Sequence, residues 1–250
     1  MHKLYFRLPM FKKLRGLVLK AILFFFVFTI GLVIVYRFLP VPFTILMLQR
    51  CVEQKIDGEE MRLQKDWVPL HQISNKLQLA VVCSEDQQFL WHHGFDFEAI
   101  EKAIRYNEKQ QKRKRKKMRG ASTISQQTAK NAFLFPQRNL IRKGLEVYFT
   151  ALIELLWSKE RIMEVYLNII EMGNGIYGAE AASQYYFHKP AAKLSAAEAA
   201  LLVSVLPNPR KFNAGKPTPY LFKRQAFVMH QMILWGGTLD YDMKEFDEKD

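Results

Sequence analysis

CSEDQQFLWHHG, residues 83–94, places two adjacent carboxylates, Glu85 and Asp86, between a mostly apolar run and an aromatic cluster. The apolar run covers residues 77–82, and the aromatic side chains are those of Phe89, Trp91 and Phe95. Acidic residues at the edge of a core have two interpretations: carboxylates that interact with the positive end of a helix dipole, or a functional site. This stretch alone leaves both interpretations open.

The composition predicts a folded protein with an anionic partner. With 250 residues, of which 49% are hydrophobic, the chain can bury a substantial core in one large domain or two small ones. Its net charge of +13 suits nucleic acid, a phosphorylated ligand or an acidic membrane surface, and composition does not choose among them. Two cysteines, Cys51 and Cys83, leave open one disulfide or two free buried thiols.

The N-terminal region predicts a membrane anchor. Residues 17–36 are almost continuously apolar, and about 20 such residues cross a bilayer. Basic residues are concentrated before this span, so the positive-inside rule places residues 1–16 in the cytoplasm. A cleaved signal peptide fits less well, because the apolar core is long and no small-residue cleavage site follows it. We therefore expect a stalk at residues 37–66 and an extracytoplasmic domain at residues 67–250.

Helix signals dominate that domain and predict a mainly α fold. Asp96 and Ser195 are expected N-caps, the latter in a capping box with Glu198. Two consecutive amphipathic helices are expected over residues 140–157 and 158–170, with Gly173 ending the second. The final helix should begin at the pair Thr218-Pro219 and end at Gly236 and Gly237.

Residues 109–119, KQQKRKRKKMR, form a basic block of the kind that is usually a solvated loop. In a cytoplasmic protein such a block would suggest nucleic-acid binding. Because the anchor puts it outside the cytoplasm, we expect no nucleic acid, and the candidate partners become anionic membrane lipid and a diphosphate ligand.

Two polar segments that follow the basic block could bind an anion. GASTISQQTAKN, residues 120–131, brings hydroxyls to a helix N-terminus, where backbone N–H groups favour negative charge. A solvated polar helix face is the alternative. In RNLIRKGLEVYF, residues 138–149, Arg142 and Lys143 precede Glu146 at helical spacing. These three residues form either a surface ion-pair cluster or a site where cations bind a diphosphate beside an ionised carboxylate.

Five motifs follow one another along the chain: E-D-x-x-F-x-x-H-x-G at 85–94, G-x-S-T-I-S-Q-Q at 120–127, R-K-x-x-E at 142–146, K-x-x-I-x-x-x-Y-L-N at 159–168, and GNGIYGAEAASQYYFHK at 173–189 with the LSAAEAALLVSVLPNP that follows. Taken together, these ordered motifs resemble those of the peptidoglycan glycosyltransferases, the lysozyme-like enzymes that polymerise the lipid-linked precursor of the bacterial cell wall. The resemblance covers about residues 67–212.

This resemblance implies a two-lobed, lysozyme-like helical domain and a role for each motif residue. Glu85 would be the catalytic base and Glu146 the second catalytic carboxylate. The substrate groove would be lined by Ser122, Thr123, Gln127, Lys130, Arg142 and Lys143. Structural support would come from Asp86, Phe89, His92, Gly94 and Asn168.

The resemblance also implies the reaction. Lipid II, a polyprenyl-linked disaccharide-peptide, would be joined to a growing polyprenyl-linked glycan by inverting β-1,4 transfer, with release of polyprenyl diphosphate. No dedicated metal site is expected, although Mg²⁺ or Mn²⁺ could accompany the diphosphate. The chain resembles the monofunctional members, and because no S-x-x-K, S-x-N or K-T-G follows, we expect no transpeptidase activity.

The resemblance places the protein in the bacterial cytoplasmic membrane, where other cell-wall synthesis or division proteins are candidate partners. Two alternatives stay open at this point. One is a lysozyme-like enzyme that cleaves finished glycan, and the other is a membrane-anchored scaffold without catalysis.

Overall fold

The computed structural model describes residues 7–113, 118, 120–137 and 139–243 and divides into two compact units. The first unit ends at Leu39 and contains α1 (Arg7–Phe38). Within α1, Lys13–Phe38 is the one helix among the described residues that is long and apolar enough to cross a membrane. The second unit begins at Pro40.

The second unit is mainly helical, in agreement with the predicted fold class. Its helices are α2 (Ile45–Ile56), α3 (Asn75–Glu85), α4 (Phe97–Lys112), α5 (Ile124–Phe133), α6 (Leu140–Leu156), α7 (Lys159–Ile169), α8 (Ala179–Phe187), α9 (Ala196–Val205) and α10 (Pro219–Leu234). Two short 3₁₀ helices cover Leu70–Gln72 and Ala191–Lys193. A small sheet, in the order β1-β3-β2, joins β1 (Gln64–Lys65), β2 (Glu171–Gly173) and β3 (Ile176–Tyr177).

Local capping chemistry begins the helices where the sequence predicts. Asp96 accepts the Ala99 N–H at 2.7 Å and begins α4. A complete capping box between Ser195 and Glu198 begins α9, and Thr218 caps α10. At the other end of α10, two glycines with positive φ, at positions 236 and 237, follow the last helical turn as expected.

Two helical groups form the core of the second unit. In one group α3 packs against α9 and α10, and in the other α5 packs against α6 and α7. Helix α9 is apolar on almost all sides and is correspondingly buried, since such a helix has no face suited to water. The ends of α3 and α5 therefore meet between the two groups, and the candidate site lies there.

Three regions differ in detail from expectation. We expected a stalk at residues 37–66, but residues 40–66 belong to the same compact unit as the rest of the domain. Gln54 of α2 is buried and accepts the Arg62 N–H, and β1 pairs in parallel with β3. Helix α7 lies within its predicted range of 158–170, but Gly173 does not act as its stop signal, because Glu171–Gly173 pairs as β2 after the helix has ended. The basic block begins inside α4, and its residues 114–117 and 119 lie outside the described residues.

Candidate active site

Glu85 is the last residue of α3, and two side chains hold its carboxylate. Its Oε1 accepts from the Ser84 hydroxyl at 3.1 Å, and its Oε2 accepts from Gln127 Nε2 at 3.3 Å. The side chain keeps 19% of its surface exposed. Because Glu85 stands at the C-terminal end of α3, the dipole of this helix is unfavourable to its negative charge. The helix-dipole interpretation therefore does not explain this carboxylate.

Asp86, in contrast, does interact with the positive end of a helix. Its Oδ2 accepts the N–H of Ile124, the first residue of α5, at 2.9 Å, and the side chain is almost fully buried. The same oxygen lies 2.9 Å from His92 Nε2. A buried carboxylate at a helix N-terminus satisfies a backbone donor that would otherwise lack a partner. Asp86 thus joins the start of α5 to the loop that follows Glu85.

The hydrogen bonds of His92 define its tautomer and its role. Its Nδ1 accepts the Gly94 N–H at 2.9 Å, so the ring proton of a neutral imidazole is on Nε2, where it is donated to Asp86. Both ring nitrogens are therefore occupied within the protein. This arrangement suits a residue that orders the loop, which is the role that the family resemblance implied for His92.

The backbone conformation and the close surroundings of position 94 both require a glycine. Its φ is +92°, and a Cβ at this position would lie 2.8 Å from Thr150 Cγ2 and 3.1 Å from Glu154 Cγ. Its carbonyl accepts the hydroxyl of Thr123 at 2.7 Å. Thr123 is also the N-cap of α5 in a full capping box, so Gly94 fixes the position at which α5 begins.

A buried ionic cluster that sequence reasoning did not assign supports the same loop. Lys159 donates to the His92 carbonyl at 2.6 Å and to both carboxylate oxygens of Glu154 at 2.9 Å, and it lies 4.9 Å from the ring centre of Phe89. Ser125 donates to Glu154 as well. Lys159 is the first residue of the fourth motif, and this motif position was the sequence feature that could have predicted its structural role. Phe89, the ring that Lys159 approaches, is fully buried.

Glu85 faces a cavity of about 680 Å³. The walls come from the end of α3, the start of α4, the segment before α5, and α10. Of the predicted site residues, the following line it: Glu85, Asp86, Ser122, Thr123 and Gln127. Lys130, Arg142, Lys143 and Glu146 are absent from that lining in the described part of the chain. The structure thus brings the first two motifs together in one cavity, and the third motif lies on α6, which packs against α5.

Glu146 forms its own buried cluster on α6. Its two oxygens lie 2.5 Å from Arg142 Nη1 and 2.5 Å from Lys143 Nζ, and 4% of its side chain is exposed. Two cations around one buried carboxylate compensate its charge and leave a net positive group. Lys143 is the accessible member, with 47% of its side chain exposed. Lys130 lies half-buried on α5.

Two residues of the fourth motif, on α7, have structural contacts. Asn168 is fully buried, and its side-chain amide accepts the Val68 N–H and donates to the Val68 carbonyl, both at 2.9 Å. Tyr166 is also fully buried, 3.5 Å from Gln127 Oε1. Burial, together with the nearby charges of Glu85 and Asp86, raises the Tyr166 pKa well above its ordinary value, so the phenol stays protonated.

The remaining titratable groups, among the described residues, argue against a metal centre and against a reactive thiol beside Glu85. Among the described residues, no group of three or more His, Cys, Asp or Glu side chains is arranged to hold a metal ion. Cys51 and Cys83 are both free thiols, and burial raises the pKa of the Cys83 thiol to about 12. Cys83 is therefore a neutral, inert neighbour of Glu85.

Fold and site together define a mainly helical protein with a carboxylate oriented in a polar cavity large enough for a sugar. The chain belongs to the Transglycosylase family, whose model matches residues 53–233. This match confirms the resemblance inferred from the motifs and the lysozyme-like fold class that it implied.

The most informative relatives are bacterial proteins of similar length. A biosynthetic peptidoglycan transglycosylase of Bacteroides thetaiotaomicron is 53% identical over 239 residues, which is 96% of this chain and 94% of the relative. Proteins with the same description in Bdellovibrio bacteriovorus and Haemophilus influenzae are 53% and 52% identical, each over 85% or more of both chains.

Proposed function

We propose that this chain polymerises lipid II into β-1,4 peptidoglycan strands by inverting glycosyl transfer, releasing polyprenyl diphosphate. The observation that carries the proposal is the partly exposed carboxylate of Glu85, held by Ser84 and Gln127 at the edge of a cavity in a chain of the Transglycosylase family. A sugar hydroxyl is a weak nucleophile and must lose its proton as the new bond forms. Glu85 is positioned to take that proton, and general-base catalysis typically contributes about 10²- to 10⁴-fold.

The leaving diphosphate needs positive charge, which the third motif supplies in this proposal. Arg142 and Lys143 already surround Glu146, and the exposed Lys143 can turn from that carboxylate towards a phosphate oxygen. Lys130 is the third proposed cation. Preorganised cations of this kind stabilise developing negative charge without needing to transfer a proton. Glu146 would keep the two α6 cations in place and act as the second catalytic carboxylate.

A divalent ion, in this proposal, enters with the substrate. Both oxygens of Glu146 contact cations, and Oδ2 of Asp86 is taken by Ile124 and His92, so these carboxylates are not arranged as ion ligands. Mg²⁺ or Mn²⁺ would therefore be held by the diphosphate oxygens, with the protein supplying at most an outer contact.

The apolar helix at Lys13–Phe38, long enough to cross a membrane, supports membrane attachment in this proposal. We propose a single-pass protein of the bacterial cytoplasmic membrane, with the N-terminus in the cytoplasm and the catalytic domain on the other side. The polyprenyl tail of the substrate is confined to the same membrane. Anionic lipid and other cell-wall synthesis or division proteins remain proposed partners.

The two rival functions are separated by one comparison of substrates. Purified full-length protein in liposomes is incubated with lipid II and, in parallel, with mature glycan. Glycan polymer formed from lipid II supports the proposal. Shortening of mature glycan without polymer formation would instead identify a lytic enzyme, and no reaction with either substrate would favour a scaffold.

A further inference from the structure

Helix α10 forms one wall of the cavity that Glu85 faces. Arg224 and Phe227 of this helix line the cavity, together with Pro207 from the loop after α9. Helix α10 packs on α9 and on α3, whose last residue is Glu85. None of the five motifs reaches α10, so the motifs predict no part for this helix in the chemistry.

Arg224 reaches the catalytic carboxylate through a serine. Its Nη2 donates to the Ser84 hydroxyl at 3.1 Å and lies 4.0 Å from Glu85 Oε1. The Ser84 hydroxyl has one proton, which it donates to the same Oε1. Since the guanidinium can only donate, it directs that proton towards Glu85 and fixes the orientation of the carboxylate. Arg224 therefore acts on Glu85 as a positioning residue.

Phe227 lies three residues after Arg224 and shares the same face of α10. Its side chain is 52% exposed, and it borders a cavity with mostly polar walls. A single exposed aromatic residue on a surface is ordinary, and Phe222 on the same helix, 53% exposed, is an example that does not line the cavity. Phe227 differs because its ring can cover the apolar C–H face of a sugar whose hydroxyls contact the polar walls.

We propose that α10 is the acceptor-sugar wall of the site, in which Phe227 stacks against a sugar ring of the incoming lipid-linked disaccharide and Arg224 positions Glu85 through Ser84. This inference rests on the proposed function, because it needs a saccharide whose hydroxyl is activated by Glu85. It adds residues that determine how the acceptor binds.

The first test measures the two substrates separately. Lipid II, as acceptor, is titrated against a fixed amount of labelled polyprenyl-linked glycan, as donor, and then the glycan is titrated against a fixed amount of lipid II. Phe227→Ala should raise the acceptor KM about tenfold while changing the donor KM by less than about twofold, because an aromatic stacking platform on one substrate is lost. Phe227→Tyr keeps the ring and should restore the acceptor KM. The matched control, Phe222→Ala, should change neither KM.

The second test concerns Arg224. Arg224→Gln should lower kcat about tenfold or more with little change in either KM, as expected when the general base is misplaced rather than when binding is lost. Arg224→Lys should recover part of the rate, and Lys223→Gln, which removes the neighbouring exposed charge, should have no effect.

The outcomes distinguish this inference from the proposed function. Equal acceptor KM values for Phe227→Ala and Phe222→Ala, with wild-type polymerisation intact, would overturn the acceptor wall and leave the polymerase function standing. Equal kcat values for Arg224→Gln and Lys223→Gln would overturn the positioning role. A wild-type protein that forms no polymer from lipid II would overturn both the inference and the function on which it rests.

Discussion

Gly94→Ala tests the geometry that joins the Glu85 loop to α5 and α6. A left-handed φ of +92° costs an L-residue about 1–2 kcal/mol. The new Cβ would also lie 2.8 Å from Thr150 Cγ2, and Thr150 is fully buried, with its hydroxyl bonded to the Glu146 carbonyl at 2.6 Å. Overpacking of this kind typically costs a further 1–3 kcal/mol or so, which predicts a total loss of about 2–5 kcal/mol in the free energy of unfolding.

Guanidinium unfolding of the full-length protein in detergent micelles measures this loss, with Gly144→Ala as the matched control. Gly144 lies within α6 with open space around its Cβ position, so its replacement should stabilise the protein by about 0.5–1 kcal/mol. Thr150→Ser removes the clashing methyl group, so the double variant with Gly94→Ala should lose less stability than the two single variants added together. Additive losses, or a Gly94→Ala variant as stable as wild type, would refute the close contact.

Two further predictions concern the residues on either side of Glu85. Both hydrogen bonds of Asp86 converge on one oxygen, which an amide can replace, so Asp86→Asn should cost only about 1–2 kcal/mol whereas Asp86→Ala should cost about 3–5 kcal/mol. Equal losses in denaturant unfolding would contradict this reading. Because burial raises the Cys83 pKa to about 12, its thiol stays protonated in neutral and mildly alkaline buffer, and iodoacetamide should label the folded protein at the half-buried Cys51 only. Labelling of a folded Cys51→Ser variant would show that Cys83 is reactive after all.

Local chemistry explains why most helix ends were predictable. Asp96 and the Ser195–Glu198 box act on backbone groups within one turn, so their effect is visible in the sequence itself. The family motifs likewise predict Glu85 and Gln127 as site residues from the sequence, without information about their contact. In the structure Gln127 donates a hydrogen bond to Glu85, although the two residues lie 42 positions apart in the sequence.

Contacts between distant segments were not predictable by the same means. The link from Asp86 to the start of α5 and the approach of Arg224 to Ser84 both depend on how whole helices pack. The short strand β2, which follows α7 where only a helix stop at Gly173 was expected, is stabilised by pairing with β3 rather than by its own residues. For the same reason, residues 40–66 look like a linker in sequence, but Gln54 contacts Asn174 and Gln64 pairs with Ile176, each more than a hundred positions away.

The central claim is that Glu85 removes the proton in glycan polymerisation, and Glu85→Gln tests it most directly. The amide is nearly isosteric with the carboxylate and can still accept from Gln127, so the fold should be retained, which circular dichroism can verify. We predict that the rate of polymer formation from lipid II falls by about 10² or more, since general-base catalysis is lost. Glu101→Gln, at an exposed carboxylate on α4, should retain the wild-type rate. A folded Glu85→Gln variant that polymerises lipid II as fast as wild type would contradict the account.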